Sequence, residues 1–87
     1  MEIKLVKKKD NQAIVELGGV DHTLANAIRR ELWQDDKVEV AGYTIEHSLI
    51  SQPRIIVNAK HPNKALLDAA ERLHNQINEM TALFKKL

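Results

Sequence analysis

The first 17 residues show the alternation of apolar and polar positions that is typical of strands covered on one face. Residues 3–7 (IKLVK) and 13–17 (AIVEL) have this pattern, and the turn-forming residues 10–11 lie between them. The spacing predicts a β-hairpin. Alternation puts Ile3 and Leu5 on the same face of its first strand.

A helical period replaces this alternation after residues 18–19, which are both glycine. Leu24, Ile28 and Leu32 then recur one turn apart, on one face of a helix. Asp21 is suited to cap the first turn, because its carboxylate can accept from an open backbone N–H. The pattern predicts a first helix of about three turns.

Two further strand patterns follow a polar break, at residues 38–45 (VEVAGYTI) and 53–59 (PRIIVNA). In the first of these, the alternating apolar positions are 38 and 40 and then 43 and 45, so the alternation shifts by one residue. A β-bulge at residues 41–42 would absorb the slip. The second strand opens on Pro53, which is tolerated at a first position because no ladder donor is needed there.

From Pro62 or Asn63 to Leu87 nothing breaks a helix, and strong helix formers are frequent. One long C-terminal helix is therefore predicted. The whole order is ββαββα, an α+β fold in which two helices cover one face of a four-stranded antiparallel sheet, as a two-layer sandwich. We expect residues 1–87 to form a single domain.

The apolar positions of the last helix follow a heptad spacing of alternating four and three residues. They are Leu66, Ala70, Leu73, Ile77, Met80, Phe84 and Leu87. A helix of about 25 residues is roughly 38 Å long, whereas a compact domain of this size is roughly 31 Å across. Two interpretations stay open: the seam covers the chain's own sheet and its tip frays, or a helix of another chain covers Ile77, Met80 and Phe84.

Residues 21–30 (DHTLANAIRR) resemble the signature of the small alpha-like subunits of DNA-directed RNA polymerases, the family of the archaeal L subunits and their eukaryotic counterparts. Residues 40–47 (VAGYTIEH) and 62–66 (PNKAL) agree with the same family. Ser48 departs from it, since the family commonly has proline there. The resemblance covers nearly the whole chain and is stronger to the short archaeal form.

The resemblance implies a cytoplasmic, non-catalytic subunit that pairs helix on helix with the larger alpha-like polypeptide of the same enzymes, the D subunit. The pair would then recruit the small zinc-binding subunits N and P and dock the large catalytic subunits. Together with the seam, the resemblance predicts a partner-subunit interface that draws on both helices. Its expected residues are Leu24, Asn26, Ile28, Arg29, Leu32, Leu73, Ile77, Met80 and Phe84.

Composition gives little support for chemistry in this chain. There is no cysteine, and the formal net charge is +1. The histidines, at positions 22, 47, 61 and 74, lack the short spacing that metal sites generally use. No apolar run approaches the roughly 20 residues that cross a bilayer. We therefore expect no catalytic residue, metal, cofactor or membrane contact.

Two other classes of function fit the sequence less well. Pterin carbinolamine dehydratases share this type of fold, but they use clustered histidines with an adjacent pair, which this sequence lacks. The basic residues 7–9, 29–30 and 85–86 lie on separate elements with few aromatics nearby, so direct nucleic-acid binding is not expected. One arginine of the pair 29–30 either contacts a large subunit or forms a surface ion pair with Glu31 or Asp35.

Overall fold

A computed structural model of the chain describes residues 1–44 and 52–87. The predicted ββαββα order is confirmed. Its elements are β1 (Glu2–Lys9), β2 (Gln12–Gly18), α1 (His22–Trp33), β3 (Val38–Thr44), β4 (Arg54–Ala59) and α2 (Pro62–Lys85). The predicted end of β3 at Ile45 and residues 46–48, on which part of the resemblance rests, lie outside the described residues.

The strands form one antiparallel sheet in the order β1-β2-β4-β3, as the α+β prediction required. The predicted hairpin joins β1 to β2, and Lys9 pairs with Gln12 across a two-residue turn. Asp10 in that turn has a φ of 48°, a left-handed conformation that aspartate and asparagine tolerate better than most residues. The turn chemistry of the sequence therefore fixes the register next to the turn, and the register shifts once further along β1, between Leu5 and Lys7.

Both helices lie on one face of the sheet, which we call the inner face. α1 lies over β3 and β4, and α2 lies over β4 and β2. Leu32, Ile55 and Val57 are the largest fully buried side chains between the two layers. Alternate residues of β2 and β4 are buried, which is the pattern expected of strands covered on one side. The core is completed by small and branched residues, namely Ala13, Val15, Leu17, Val20, Ala25, Val38, Ala41, Ala59, Ala65 and Ala69.

The bulge in β3 lies earlier than predicted. The register shifts between Val38 and Val40, so the extra residue is Glu39 and not the pair at residues 41–42. Val40 is apolar but lies on the outer face of the sheet, where it is 46% exposed. Because the apolar pattern counted Val40 as an inward residue, it misplaced the bulge. Ala41 is the residue that returns to the core.

The predicted cap of α1 is confirmed. The Asp21 carboxylate accepts a hydrogen bond of 3.0 Å from the backbone N–H of Leu24. α2 begins instead with Pro62, whose missing N–H costs nothing in the first turn of a helix. Both helix starts therefore follow from local chemistry that is visible in the sequence.

We predict that Leu32→Ala lowers the free energy of unfolding by about 2–5 kcal/mol, because it empties a site that the surrounding core cannot fully collapse around. The matched control is Leu67→Ala in α2, where the side chain is 58% exposed and the change should stay within about 0.5 kcal/mol. Urea denaturation followed by circular dichroism measures both. Equal losses for the two variants would contradict the assignment of Leu32 to the core.

Candidate subunit interface

α2 divides along its length into a packed half and an exposed half. Buried and half-buried residues occur along α2 as far as Leu73, whereas every residue from 74 to 87 is exposed. We call residues 74–87 the overhang. The 24 residues of α2 correspond to roughly 36 Å of helix. The sheet ends before the helix does, so the overhang has no layer of its own chain beneath it.

The overhang carries a continuous apolar stripe. Ile77, Met80, Leu83 and Phe84 are between 53% and 63% exposed. Intervals of three and four residues put them on one face, and this face continues the one that buries Ala69 in the core. Leu83 was not in the predicted seam, because a strict heptad pattern counts only two positions in seven. A stripe of adjacent large apolar side chains is typical of an interaction surface.

The packed half of α2 corrects one seam position. Ala70 is exposed, while Ala65 and Ala69 are buried and Leu66 and Leu73 are half-buried. The heptad spacing describes a narrow seam between two helices, but this part of the helix rests on a broad sheet. Two alanines on the facing side let α2 approach the strands closely. The helix therefore packs on alanines where the sequence pattern favoured larger residues.

Glu31 joins α1 to α2 at the base of the overhang. Its carboxylate accepts hydrogen bonds from Arg72 Nε at 3.2 Å and from Gln76 Nε2 at 2.7 Å. Arg72 Nη2 also donates to the backbone carbonyl of Glu31 at 2.7 Å. The Glu31 side chain is only 12% exposed, so this pair is shielded more than an ordinary surface ion pair. These bonds hold α2 against α1 where the overhang begins.

The connection between Glu31 and α2 is not visible in the sequence pattern. That pattern suggests Glu31 only as an ion-pair partner for the neighbouring residues 29–30 on the same helix. No local spacing could have identified Arg72, which lies 41 residues further along the chain. Within α1, Arg29 donates through Nε to Asn26 Oδ1 at 3.0 Å, and its Nη2 donates to the same oxygen.

The predicted interface residues fall into three groups. Ile77, Met80 and Phe84 lie together on the overhang, with Leu73 at its base. Leu24 and Ile28 of α1 are half-buried and pack against the core. Asn26 and Arg29 on the same helix are also half-buried. Leu32 is fully buried in the core, so in the single chain it has no exposed surface.

The histidines are the remaining candidates for a chemical site. His22 begins α1, His61 precedes α2 and His74 lies within the overhang, while His47 is not among the described residues. Over residues 1–44 and 52–87, no group of three or more histidine, cysteine or acidic residues could hold a metal ion. In the same part of the chain, no helix is long and apolar enough to span a membrane. The stripe on the overhang therefore remains the candidate functional surface in the described part of the chain.

Comparisons with known proteins identify the family to which the chain is similar. A family model described as the RNA polymerase Rpb3/Rpb11 dimerisation domain matches residues 12–82. The chain is 36% identical over 87 residues to DNA-directed RNA polymerase subunit Rpo11 of Methanothermobacter thermautotrophicus, with both chains fully covered. It is 33% identical over 90 residues to Rpo11 of Thermococcus kodakarensis, covering 98% of this chain and 96% of that protein.

The fold agrees with a solved relative as well. The crystal structure of DNA-directed RNA polymerase subunit L from Thermoplasma acidophilum superposes with a TM-score of 0.87 and 30% identity. The superposition covers 98% of this chain and 86% of that one. These comparisons do not support the pterin dehydratase alternative.

We predict that Arg72→Ala destabilises the chain by about 1–2 kcal/mol, since it removes two bonds to Glu31 and leaves a shielded carboxylate with fewer donors. Lys64→Ala, an exposed basic residue about two turns earlier in α2, is the matched control and should change little. Urea unfolding of the purified variants gives both values. Identical midpoints for the two variants would mean that the Glu31 contacts contribute nothing to stability.

Proposed function

Because this chain belongs to the RNA polymerase Rpb3/Rpb11 dimerisation-domain family, we propose that it is a non-catalytic assembly subunit of an archaeal-type RNA polymerase. It pairs with the larger alpha-like D subunit, and the overhang supplies the centre of the contact. The pair then acts as the platform on which the rest of the enzyme assembles. The observation that carries this proposal is the exposed apolar stripe of α2.

Energetics support a protein partner for the stripe. Each large apolar side chain gains about 1.5–3 kcal/mol when it moves from full exposure to full burial. Ile77, Met80, Leu83 and Phe84 are each at least half exposed, so a large part of this gain is still unrealised in the single chain. A second protein surface that covers all four realises it together. This is the composition of a permanent interface, which resembles a core divided between two chains.

The shape of the overhang favours a helix as the contacting element. The stripe is narrow, it lies on one face, and it continues for about three turns beyond Leu73. A partner helix can cover such a stripe by inserting side chains between successive turns. The Glu31 contacts with Arg72 and Gln76 fix the angle at which the overhang leaves the domain. A surface held in its binding geometry loses less conformational entropy on association.

α1 provides the flank of the proposed interface. It adjoins the base of the overhang, so a partner helix that crosses Leu73 also comes near α1. Leu24 and Ile28 retain some exposure and would extend the apolar contact. Asn26 and Arg29 would supply a polar border, already ordered by the hydrogen bond between them. Leu32 lies outside this proposed surface, because its side chain is buried in the core beneath α1.

The rest of the role follows from pairing. The pair with the D subunit recruits the small zinc-binding subunits N and P and docks the large catalytic subunits in the cytoplasm. This chain acts as one domain and contributes no catalytic residue, cofactor or direct contact with nucleic acid. Its influence on transcription is therefore through assembly, and a loss of pairing should remove the whole enzyme and not a single step of its chemistry.

We predict that Ile77→Asp, Met80→Asp or Phe84→Asp weakens pairing with a co-expressed D subunit by about 100-fold or more. A carboxylate in the covered stripe must either be buried without a partner or hold the helices apart. Glu79→Gln is the control on the same exposed helix and should pair normally. Phe84→Ala should be milder than Phe84→Asp, because it removes contacts without adding a charge. Co-purification and titration calorimetry measure the pairing.

Circular dichroism of each isolated variant completes this experiment. The altered residues are exposed in the single chain, so all variants should keep the wild-type helix content. A folded Ile77→Asp chain that pairs with wild-type affinity would refute the interface. An unfolded one would instead favour the interpretation that the seam serves the chain's own sheet.

A further inference from the structure

The first strand forms one edge of the sheet. In the described part of the chain, β1 pairs with β2 alone. All eight residues of Glu2–Lys9 are exposed. An edge strand directs alternate backbone N–H and C=O groups away from its sheet, where another chain can receive them. Proteins commonly bind extended segments of other proteins by adding them as a further strand at such an edge.

β1 is also strongly basic. Four of its eight residues are lysine and one is glutamate, which gives the strand a formal charge of +3. Lys4, Lys7 and Lys9 lie on the outer face, because their partners across the ladder alternate with the buried residues of β2. Within residues 1–44 and 52–87, none of these three lysines forms an ion pair with a carboxylate. Their charge is therefore available to an acidic partner.

A bulge in β1 produces this row of lysines. The register shifts between Leu5 and Lys7, so Val6 is the extra residue. In a regular strand, the three-residue interval from Lys4 to Lys7 would put the two side chains on opposite faces. The bulge returns Lys7 to the face of Lys4, and Lys9 follows roughly 6.7 Å further along the same face.

The inner face of β1 is apolar and exposed at the other end of the strand. Ile3 pairs with Leu17 and Leu5 pairs with Val15. Both β2 partners are buried, whereas Ile3 is 69% exposed and Leu5 is 53% exposed. The helices lie mainly over the other three strands, so the helical layer stops short of β1. The edge strand therefore presents lysines on one face and apolar side chains on the other.

We infer that the free edge of β1 pairs with an extended segment of another protein in which acidic and apolar residues alternate. Acidic side chains of that segment lie beside the lysines of the outer face, and its apolar side chains lie beside Ile3 and Leu5 on the inner face. β2 shows the pattern that suits this strand, since it places Glu16 opposite Lys4 and Val15 opposite Leu5. The inference does not depend on the proposed function.

Other occupants would use only part of this strand. A second copy of β1 would bring several lysines close to one another, and like charges across a ladder are destabilising. Phosphates of a nucleic acid would neutralise the lysines but leave Ile3 and Leu5 in water. Lysines on an edge strand commonly discourage pairing, but they do so by repulsion and desolvation that an acidic strand reverses. An acidic extended segment matches the backbone, the charge and both faces of β1.

Binding of designed peptides to the purified full chain tests this pairing. The probe is a short fluorescein-labelled peptide in which glutamate and valine alternate, and fluorescence anisotropy measures its affinity. One control peptide has lysine in place of glutamate, and another keeps the charge but has proline at alternate valines, which removes backbone donors. We expect both controls to bind at least roughly tenfold more weakly. Equal binding of the proline peptide, or tighter binding of a single-stranded oligonucleotide, would overturn the inference.

Amide hydrogen exchange locates the bound peptide. The amides of Glu2–Lys9 should gain protection in the complex, whereas those of the other edge strand, Val38–Thr44, should not. Protection of β3 or α2 in place of β1 would contradict the strand addition. Analytical ultracentrifugation of the free chain addresses a second copy as the occupant. Self-association that the peptide reverses would assign the edge to that copy and not to an acidic partner.

Charge reversal on β1 checks the role of the lysines. Lys7→Glu and Lys9→Glu should each weaken peptide binding roughly tenfold, because each replaces an attraction with like charges across the ladder. Lys64→Glu on α2 makes the same change in net charge away from the edge and should bind normally. Leu5→Ser should weaken binding several-fold, because it removes the apolar contact of the inner face. Circular dichroism confirms the fold of each variant, and unchanged binding by both lysine variants would refute the acidic occupant.

Discussion

The difference in length between α2 and the sheet is the constraint on which the other features depend. Strands of six to eight residues span roughly 20–27 Å, whereas the 24-residue helix spans roughly 36 Å. One face of the helix is apolar along nearly its whole length, but the sheet can bury only the first half of it. The second half must therefore stay in water or be covered by another molecule. The single chain therefore leaves part of the apolar face of α2 without a covering layer.

The core is rich in small residues, whereas the exposed apolar stripe of α2 is built from large ones. Six of the thirteen buried hydrophobic residues in the described part of the chain are alanines. Alanines allow the helices and strands to approach closely, but each buries little apolar area and so adds little to the hydrophobic stabilisation. The domain is also thin, with a shortest dimension of 17 Å. A partner that covers the overhang would add large side chains to a core that is otherwise built from small ones.

The sequence by itself determined the elements and most of the exposed apolar stripe on α2. Periods of two and 3.6 residues are set by backbone geometry, so they identified four strands and two helices in the right order. The Asp21 cap is likewise local, because donor and acceptor lie within one turn. The stripe at Ile77, Met80 and Phe84 could be read from spacing and from helix length. The resemblance at residues 21–30 gave the family, which the comparisons then confirmed.

Only the tertiary structure decided which apolar residues are covered. The pattern marks Val40, Leu32 and Ile3 alike as apolar, yet only Leu32 is buried. Val40 lies on the outer face of β3, and Ile3 is exposed although its partner across the ladder, Leu17, is buried. The same holds for Ala69, which faces the sheet in place of its neighbour in the heptad, and for Glu31, whose bonding partners lie on the other helix. Periodicity reports which side of an element is apolar. Burial depends on how far the opposite layer extends, and that extent is set by contacts between residues distant in the chain.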